Sequence, residues 1–249
     1  MRSHQYALGG YYTGINGWEF SVEGYYKDMR NVLEYKDGVS FFGSSSGWEN
    51  KVEMGKGRSA GIEFMAQKTA GKTTGWLSYT LSKSDRKFTK GGINNGEWFP
   101  YKYDRRHSIN LTINHKFSDR IDIGASWVFY TGGTSTIPEE KTTVIRPHNG
   151  ANNGFLWYGT YDNTNSSPTI GDVSYIEHRN NFRLPASHRL NLGVNFNKKT
   201  KHGMRTWNIS LYNAYNAMNP AWVYRGHNKQ GLSVIKKYTL LPLIPSFTY

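Results

Sequence analysis

The chain is 249 residues long, enough for one large β-domain or two ordinary ones. It holds no cysteine, which excludes disulfides and thiolate metal sites, and its mean hydropathy of −0.67 leaves no run near the ~18 apolar residues of a membrane helix. The net charge of +13 raises nucleic acid as a partner, but the basic residues are scattered over turns and loops (Lys51, Arg58, Lys90, Lys198 and Lys236 among them), so no nucleic-acid role is expected. Beside a membrane the same charges would meet anionic headgroups or anionic ligands.

The first strand runs from about Gln5 to Tyr12, with Tyr6, Leu8 and Tyr12 on one face. A period of two means a strand, because successive Cβ atoms leave opposite faces of the pleat. Asn16-Gly17 marks a tight turn. The second strand sets Trp18, Phe20, Val22 and Tyr26 against Glu19, Ser21 and Glu23, and extends to about Tyr35. A long loop, Lys36 to Gly57, leads to a third strand at about Ser59 to Lys68, with Ile62, Phe64 and Ala66 outward and Glu63, Met65 and Gln67 inward. After the turn at Ala70-Gly71-Lys72, the fourth strand (Thr74 to Ser84) opposes Leu77, Tyr79 and Leu81 to Ser78, Thr80 and Ser82.

A second long loop spans Asp85 to Asp104. Strand five sets Ile109, Leu111, Ile113 and Phe117 against Asn110, Thr112 and Asn114, and Ser118-Asp119 closes a tight turn. Strand six sets Ile121, Ile123, Ala125, Trp127 and Phe129 against Asp122, Gly124 and Ser126. A very long segment follows, Thr131 to about Phe182. Strands seven and eight form a hairpin, with Leu190, Leu192, Val194 and Phe196 in the first arm and Trp207, Ile209 and Leu211 in the second. A fourth long loop, about Asn216 to Ser233, precedes a final strand expected over roughly Val234 to Tyr249.

The polar face of this hairpin carries Asn, Ser and Gly in place of charge. A wet but confined face suits the lumen of a transmembrane β-barrel with lipid outside. A soluble sandwich would also alternate, but it has no reason to alternate its loop lengths. Here short turns follow strands one, three, five and seven, and long loops follow two, four, six and eight. Tyr12, Trp18, Phe117, Phe196 and Trp207 lie on the apolar face beside short turns, where amphipathic rings form a girdle at the headgroup boundary. The expected fold is all-β: about nine meandering antiparallel strands, an incomplete slice of a larger transmembrane barrel.

Several segments resemble the late strands of TonB-dependent outer-membrane receptors. They are Arg58-Ser59-Ala60-Gly61-Ile62-Glu63-Phe64, Tyr103-Asp104-Arg105-Arg106-His107-Ser108-Ile109, His188-Arg189-Leu190-Asn191-Leu192-Gly193-Val194, and Leu211-Tyr212-Asn213-Ala214-Tyr215-Asn216 leading to Asn219-Pro220. The ending Leu240-Leu241-Pro242-Leu243-Ile244-Pro245-Ser246-Phe247-Thr248-Tyr249 is similar to the last strand of these receptors, stopped slightly early. The resemblance covers essentially residues 1–249 and implies a barrel of about twenty-two strands with a plugged lumen. It implies energised import of a scarce ligand through the TonB complex, in the cell outer membrane. Met1-Arg2-Ser3-His4 opens no signal peptide, and the plug domain of the family is absent, so 1–249 is expected to be a C-terminal barrel portion that needs the remaining N-terminal strands.

No nucleophile elbow, phosphate loop, HExxH or dinucleotide fingerprint is present, so no enzyme and no resident cofactor are expected. Glu19, Glu23, Glu63 and Asp122 face the expected lumen, where they would meet arginines of a plug. For ligand contacts the long loops offer aromatic and basic residues: Trp98 and Tyr101 in the second, Arg146, Trp157, Tyr158 and Tyr161 in the third, and Trp222, Tyr224 and Arg225 in the fourth. A positive, aromatic vestibule favours ferric siderophores or haem, with His148, His178, His227 or a tyrosinate as axial ligand in the haem case. Cobalamin or oligosaccharide import, with a surface lipoprotein as possible partner, and a passive porin-like barrel stand as alternatives. A soluble β-rich binding protein is the third class.

Overall fold

Among the described residues, two-residue periodicity is realised as a wall of nine strands in one antiparallel sheet, each hydrogen-bonded to the next wall strand along the chain. The computed structural model describes residues 1–36, 47–89, 93–145, 170–201 and 203–249, with the backbone alone for 140–145 and 170–174. The wall opens with β1 (Arg2–Tyr12), β2 (Trp18–Tyr35), β3 (Val52–Lys68) and β4 (Thr73–Lys87), with β5 (Phe99–Pro100) lying on the upper end of β4. It continues with β6 (His107–Lys116) and β7 (Ile121–Tyr130). Between β7 and the next wall strand run four short pieces, β8 (Thr134–Ser135), β9 (Glu140–Ile145), β10 (Ile170–Tyr175) and β11 (Phe182–Arg183), paired β8 with β11 and β9 with β10. The wall resumes as β12 (Ser187–Thr200) and β13 (Gly203–Tyr212); a separate hairpin of β14 (Pro220–His227) and β15 (Ser233–Thr239) follows, and β16 (Ile244–Thr248) closes the order.

The register keeps each face continuous. One row of the outer face reads Tyr12, Phe20, Ala66, Leu77, Leu111, Trp127 and Leu190 across seven strands. On the other face Glu23, Glu63, Thr80, Ser108, Tyr130 and Ser187 stand side by side. Among the described residues only Val32, Phe88, Ile93 and Phe99 are buried hydrophobics, while Leu8, Ile62, Phe64, Leu77 and Ile209 stand exposed. A sheet that leaves its apolar face this bare is covered by something other than its own chain, and the apolar-out, polar-in sense is that of a membrane barrel. Among the described residues both edges are open: β1 pairs only with β2, and β16 only with β13.

The expected girdle sits at the short turns. Trp18 stacks on Phe20 with centroids 5.7 Å apart, and Phe20 contacts Tyr12 at 6.4 Å. Trp207 meets Phe247 at 5.1 Å and Tyr249 at 4.4 Å, so the last residue of the chain joins the belt.

Two expectations are corrected. The final strand does not run from Val234 to Tyr249: Val234 belongs to the β14–β15 hairpin beyond the wall, and the wall strand is Ile244–Thr248 alone. The chain breaks at Leu241, whose φ of 60° is left-handed, just before Pro242. Pro245 then pairs with Leu211 on an edge strand, the place in a sheet where a missing N–H is tolerated. Second, β3 begins at Val52, well before Ser59, and the strands β2, β3 and β4 rise past the apolar band into the long loops.

Asn31 marks that passage. It takes φ 56°, and the β2–β3 register shifts between Arg30 and Val32. Asn tolerates the left-handed region better than most residues, and one extra residue in a bulge swaps the face of everything after it. Odd residues of β2 face inward below the bulge, and Val32 and Glu34 face inward above it.

Candidate functional site

At the short-turn end, the inner face of β7, β12 and β13 carries a ladder of short polar contacts. Both Asp122 oxygens are taken, by the Asn195 and Asn197 amides, each at 2.7 Å. Asn208 donates in turn to Asn195 Oδ1 at 2.7 Å, and Thr206 to Asn197 Oδ1 at 2.8 Å. Asp122 is therefore fully engaged within the wall. Glu23 and Glu63 lie directly opposite each other on β2 and β3, with no ion pair among the described residues. Glu19 stands on the same face, diagonal to Tyr11. Like charges set side by side on a sheet repel, so the Glu23–Glu63 pair favours a cation from the lumen side.

At the long-loop end three carboxylates gather cations. Asp104, its side chain fully buried, accepts from Arg183 Nη2 at 2.6 Å, Arg106 Nε at 3.2 Å and the Ser84 amide at 2.7 Å. Arg183 Nη1 also donates to the carbonyls of Asp104 (2.6 Å) and Gly132 (2.9 Å). Glu34 binds Arg86 at 2.9 Å and Arg179 at 3.3 Å, and Asp85 binds Arg58 at 3.0 Å and Lys83 at 3.4 Å. The Asn180 amide group reaches the Pro100 carbonyl at 2.7 Å, and the Arg179 backbone N–H donates to Asn94 Oδ1 at 2.7 Å. Residues 179–183 of the third long loop are thereby tied to the second loop and to the top of β2. Beneath them lies the buried cluster Val32, Phe88, Ile93 and Phe99, with Met29 against it. Gly55 leaves room for that cluster: a Cβ there would meet the Phe88 ring at 2.4 Å.

The proposed ligand residues separate. Trp98 lies under the Arg58 guanidinium, 4.3 Å from the ring centroid, and Arg58 belongs to the outer face of β3. Tyr101, three residues on, lies on the inner side under Arg86 (3.6 Å) and edge-on to Tyr103 (5.3 Å). Trp222 is half exposed and stacks on Tyr238 at 4.3 Å; Tyr224, also exposed, follows on the same β14 strand. Arg225 donates to Ser233 Oγ at 2.7 Å and to the Pro138 carbonyl at 3.3 Å, beside a cavity of about 370 Å³ lined by Glu139, Asn181 and Phe182. Arg146, His148, Trp157, Tyr158 and Tyr161 lie outside the described residues. His178 is exposed with Nδ1 3.9 Å from Glu139, and His227 ends β14 opposite Ser233.

A second cavity, about 410 Å³, opens between the top of β7 and the β14 hairpin. Lys102, Tyr103, Arg105, Tyr130 and Trp222 line it, and the Arg105 guanidinium lies 3.9 Å over the Tyr130 ring. Arg105, Arg106 and His107 are consecutive in one of the segments that carry the family resemblance. The three in fact diverge: Arg105 goes to this cavity, Arg106 to Asp104, and His107 Nδ1 pairs with the Tyr79 hydroxyl at 2.9 Å. Tyr130 and Tyr103 were not singled out, although Tyr130 holds the polar parity of its strand.

An open antiparallel wall, apolar outside, polar inside and roofed by long loops at one end, is part of a membrane β-barrel. The family model described as TonB dependent receptor-like, beta-barrel matches residues 1–221, and the chain belongs to that family. This is an outer-membrane family of transport receptors, not enzymes. No curated protein matches the sequence. Among solved structures, the ferric-catecholate import receptor Fiu from E. coli K12, in its closed form, is similar with a TM-score of 0.51 at 13% identity. The alignment covers 97% of this chain and 26% of Fiu, so the chain spans about a quarter of that receptor and the likeness is one of fold.

Proposed function

We propose that residues 1–249 form the C-terminal part of the barrel of an outer-membrane receptor that imports a scarce anionic ligand with TonB-derived energy. The observation that carries this reading is the family match over a wall whose long-loop end is a folded, cation-rich mouth. For the ligand class, the cavity of Tyr103, Tyr130, Trp222, Lys102 and Arg105 supports a flat or aromatic anion, as a ferric siderophore would present. Fiu, similar in fold, is named for ferric-catecholate import. Tyr101, Tyr224 and Arg225, and the third-loop residues Arg146, Trp157, Tyr158 and Tyr161, would add contacts around the same mouth. Trp98 is the least suited, since its ring is capped from the outer face.

On the lumen side Glu23 and Glu63 would take an arginine or lysine of a plug, with Glu19 beside them, and the TonB complex would act through that plug. Further barrel strands would complete the wall. Haem, cobalamin and oligosaccharide are the competing cargoes, the last implying a surface lipoprotein. Growth of a strain lacking the intact gene on defined iron chelates, haem, cobalamin or glycans tests the reading. Loss of iron-chelate use alone is expected, and Arg105→Glu should reproduce much of it with the barrel assembled. Loss of glycan use alone would overturn the siderophore reading, and free diffusion of unrelated solutes would favour a porin.

A further inference from the structure

On the outer face, above the apolar band, the register brings four cations into one row. Arg2 pairs with Arg30, Arg30 with Lys56, and Lys56 with Lys87, across β1, β2, β3 and β4. All four share the outward parity of Leu8, Val22, Ile62 and Leu81. Directly opposed like charges destabilise a sheet, and four in succession have no structural use of their own. Arg30 holds Asp28 at 3.2 Å, but among the described residues no carboxylate lies within ion-pair distance of Arg2, Lys56 or Lys87. Arg2, Arg30 and Lys56 are exposed. The row nearer the apolar band differs: it runs His4, Asp28, Arg58 and Asp85, and there Asp85 holds Arg58 at 3.0 Å while Asp28 is taken by Arg30.

Height identifies what the row meets. Tyr6 and Tyr26 pair on the outer face four residues nearer the membrane, and Leu8, Ile62 and Leu81 lie beyond them. Four residues of strand are about 13 Å, or about 10 Å of height at a barrel strand's usual tilt. Tyrosines of that kind mark the headgroup boundary, and Lys and Arg stems bend their charges back toward it. The cations therefore hang at the level of the headgroups on the long-loop side of the membrane.

We propose that the Arg2–Arg30–Lys56–Lys87 row is a docking site for the phosphate-bearing headgroup of a lipid in the leaflet around the long-loop end. It rests on the membrane reading above and adds a specific lipid contact to it. A phosphate supplies the charge that the row lacks, accepts several N–H donors at once, and turns a repulsive row into an anchored one. The same contact fixes the depth at which β1–β4 stand.

The test uses the full-length protein taken from its own outer membrane and placed in phosphatidylcholine nanodiscs doped with either lipid A bisphosphate or its dephosphorylated form. Retained lipid is counted by native mass spectrometry. Wild type should hold the phosphorylated form selectively. Arg30→Gln/Lys56→Gln/Lys87→Gln should weaken retention roughly a hundredfold, since each basic residue near an anionic surface contributes about a factor of five, and Lys56→Arg/Lys87→Arg should keep it. Equal retention by the neutral triple variant, or no preference for phosphate in the wild type, overturns the proposal. If the triple variant fails to assemble, a salt titration of the wild type decides, and retention of the phosphorylated lipid that ignores salt overturns it. An acidic protein that co-purifies with the wild type and is lost from the triple variant, with lipid retention unchanged, also overturns it. Ligand uptake by the triple variant should be normal. Absence of uptake in the wild type would sink the import reading and leave the lipid result standing.

Discussion

Replacing Arg183 with methionine isolates the energetics of the mouth. The substitution keeps the apolar stem and removes the guanidinium, which donates to the Asp104 carboxylate at 2.6 Å and to the carbonyls of Asp104 and Gly132 at 2.6 and 2.9 Å. Asp104 has no exposed side-chain surface, so water does not replace the lost donor. Breaking a buried ion pair outright costs about 3–5 kcal/mol. Arg106 and the Ser84 amide still hold Asp104, so the loss is closer to that of one charged hydrogen bond plus a stranded carbonyl, about 2–3 kcal/mol. The loss is local, because Arg183 ties the third loop to the rim and touches nothing in the apolar band. In the assembled protein, hydrogen exchange at the amides of Leu184 and Thr134, bonded to Gly133 and Lys102, should speed up roughly 30- to 150-fold. Amides of Ile123 and Leu192 in the wall should not change. Adding Asp104→Asn should restore part of the protection, because the buried charge is then gone. Unchanged exchange at Leu184, or no relief from the second substitution, would refute the buried-charge argument.

Removing the acceptor at the other end has a smaller effect. Asp122→Ala strands the Asn195 and Asn197 amides in a half-wet lumen and should lower wall stability by about 1–2 kcal/mol, read as a shift in the heat-modification midpoint on gels; Asp122→Asn should cost less. In the β6–β7 turn, the Lys116 ammonium, bonded at 3.0 Å, holds the Asp119 carboxylate below its ordinary value of 3.8, with Lys199 adding attraction. A lowered carboxylate supports the turn at neutral pH and loses that role only as pH falls through the lowered value; Lys116→Met should move the Asp119 titration, followed by carboxyl NMR shifts, back up.

The wall was readable because membrane and lumen impose their chemistry on alternate residues, a purely local pattern. Seven of the nine wall strands fall within a few residues of expectation, where that pattern holds. It stops at the headgroups: Val52 to Arg58 carries Glu53, Lys56 and Arg58 among glycines, so the upper half of β3 reads as loop although it is paired throughout. The reverse error occurs at the C-terminus. There β15 (Ser233–Thr239) follows the expected loop directly and reads as the start of the last strand, because nothing local states that it pairs with β14 outside the wall. Among site residues, Trp98 and Tyr101 are three apart and so fall on opposite faces, which parity would have revealed had β5 been foreseen. The Asp104–Arg183 contact joins residues 79 apart, and no local pattern announces a partner at that distance.

The Asn31 bulge is where wall becomes mouth, and magnitudes decide how it responds to change. A regular β2 would send Val32 and Glu34 outward and Leu33 and Tyr35 inward. That slip would strip Val32 from the buried cluster and Glu34 from Arg86 and Arg179, and several kcal/mol would be lost. Holding a β-branched residue in the left-handed region costs about 1–2 kcal/mol, so Asn31→Val should destabilise the mouth by that amount and keep the register. Deleting Asn31 should be milder still, because Arg30 opposite Lys56 and Val32 opposite Gly55 then become consecutive rungs of an unbroken ladder. The chain has no cysteine, so Leu33→Cys with Met54→Cys, directly opposed on the outer face, reports the register by disulfide formation. The bridge should form in the parent, in Asn31→Val and in the deletion. Loss of the bridge in Asn31→Val would mean that backbone strain outweighs the packing of Val32 and the pairing of Glu34, and that the mouth is held in place by its loops, not by the strand beneath it.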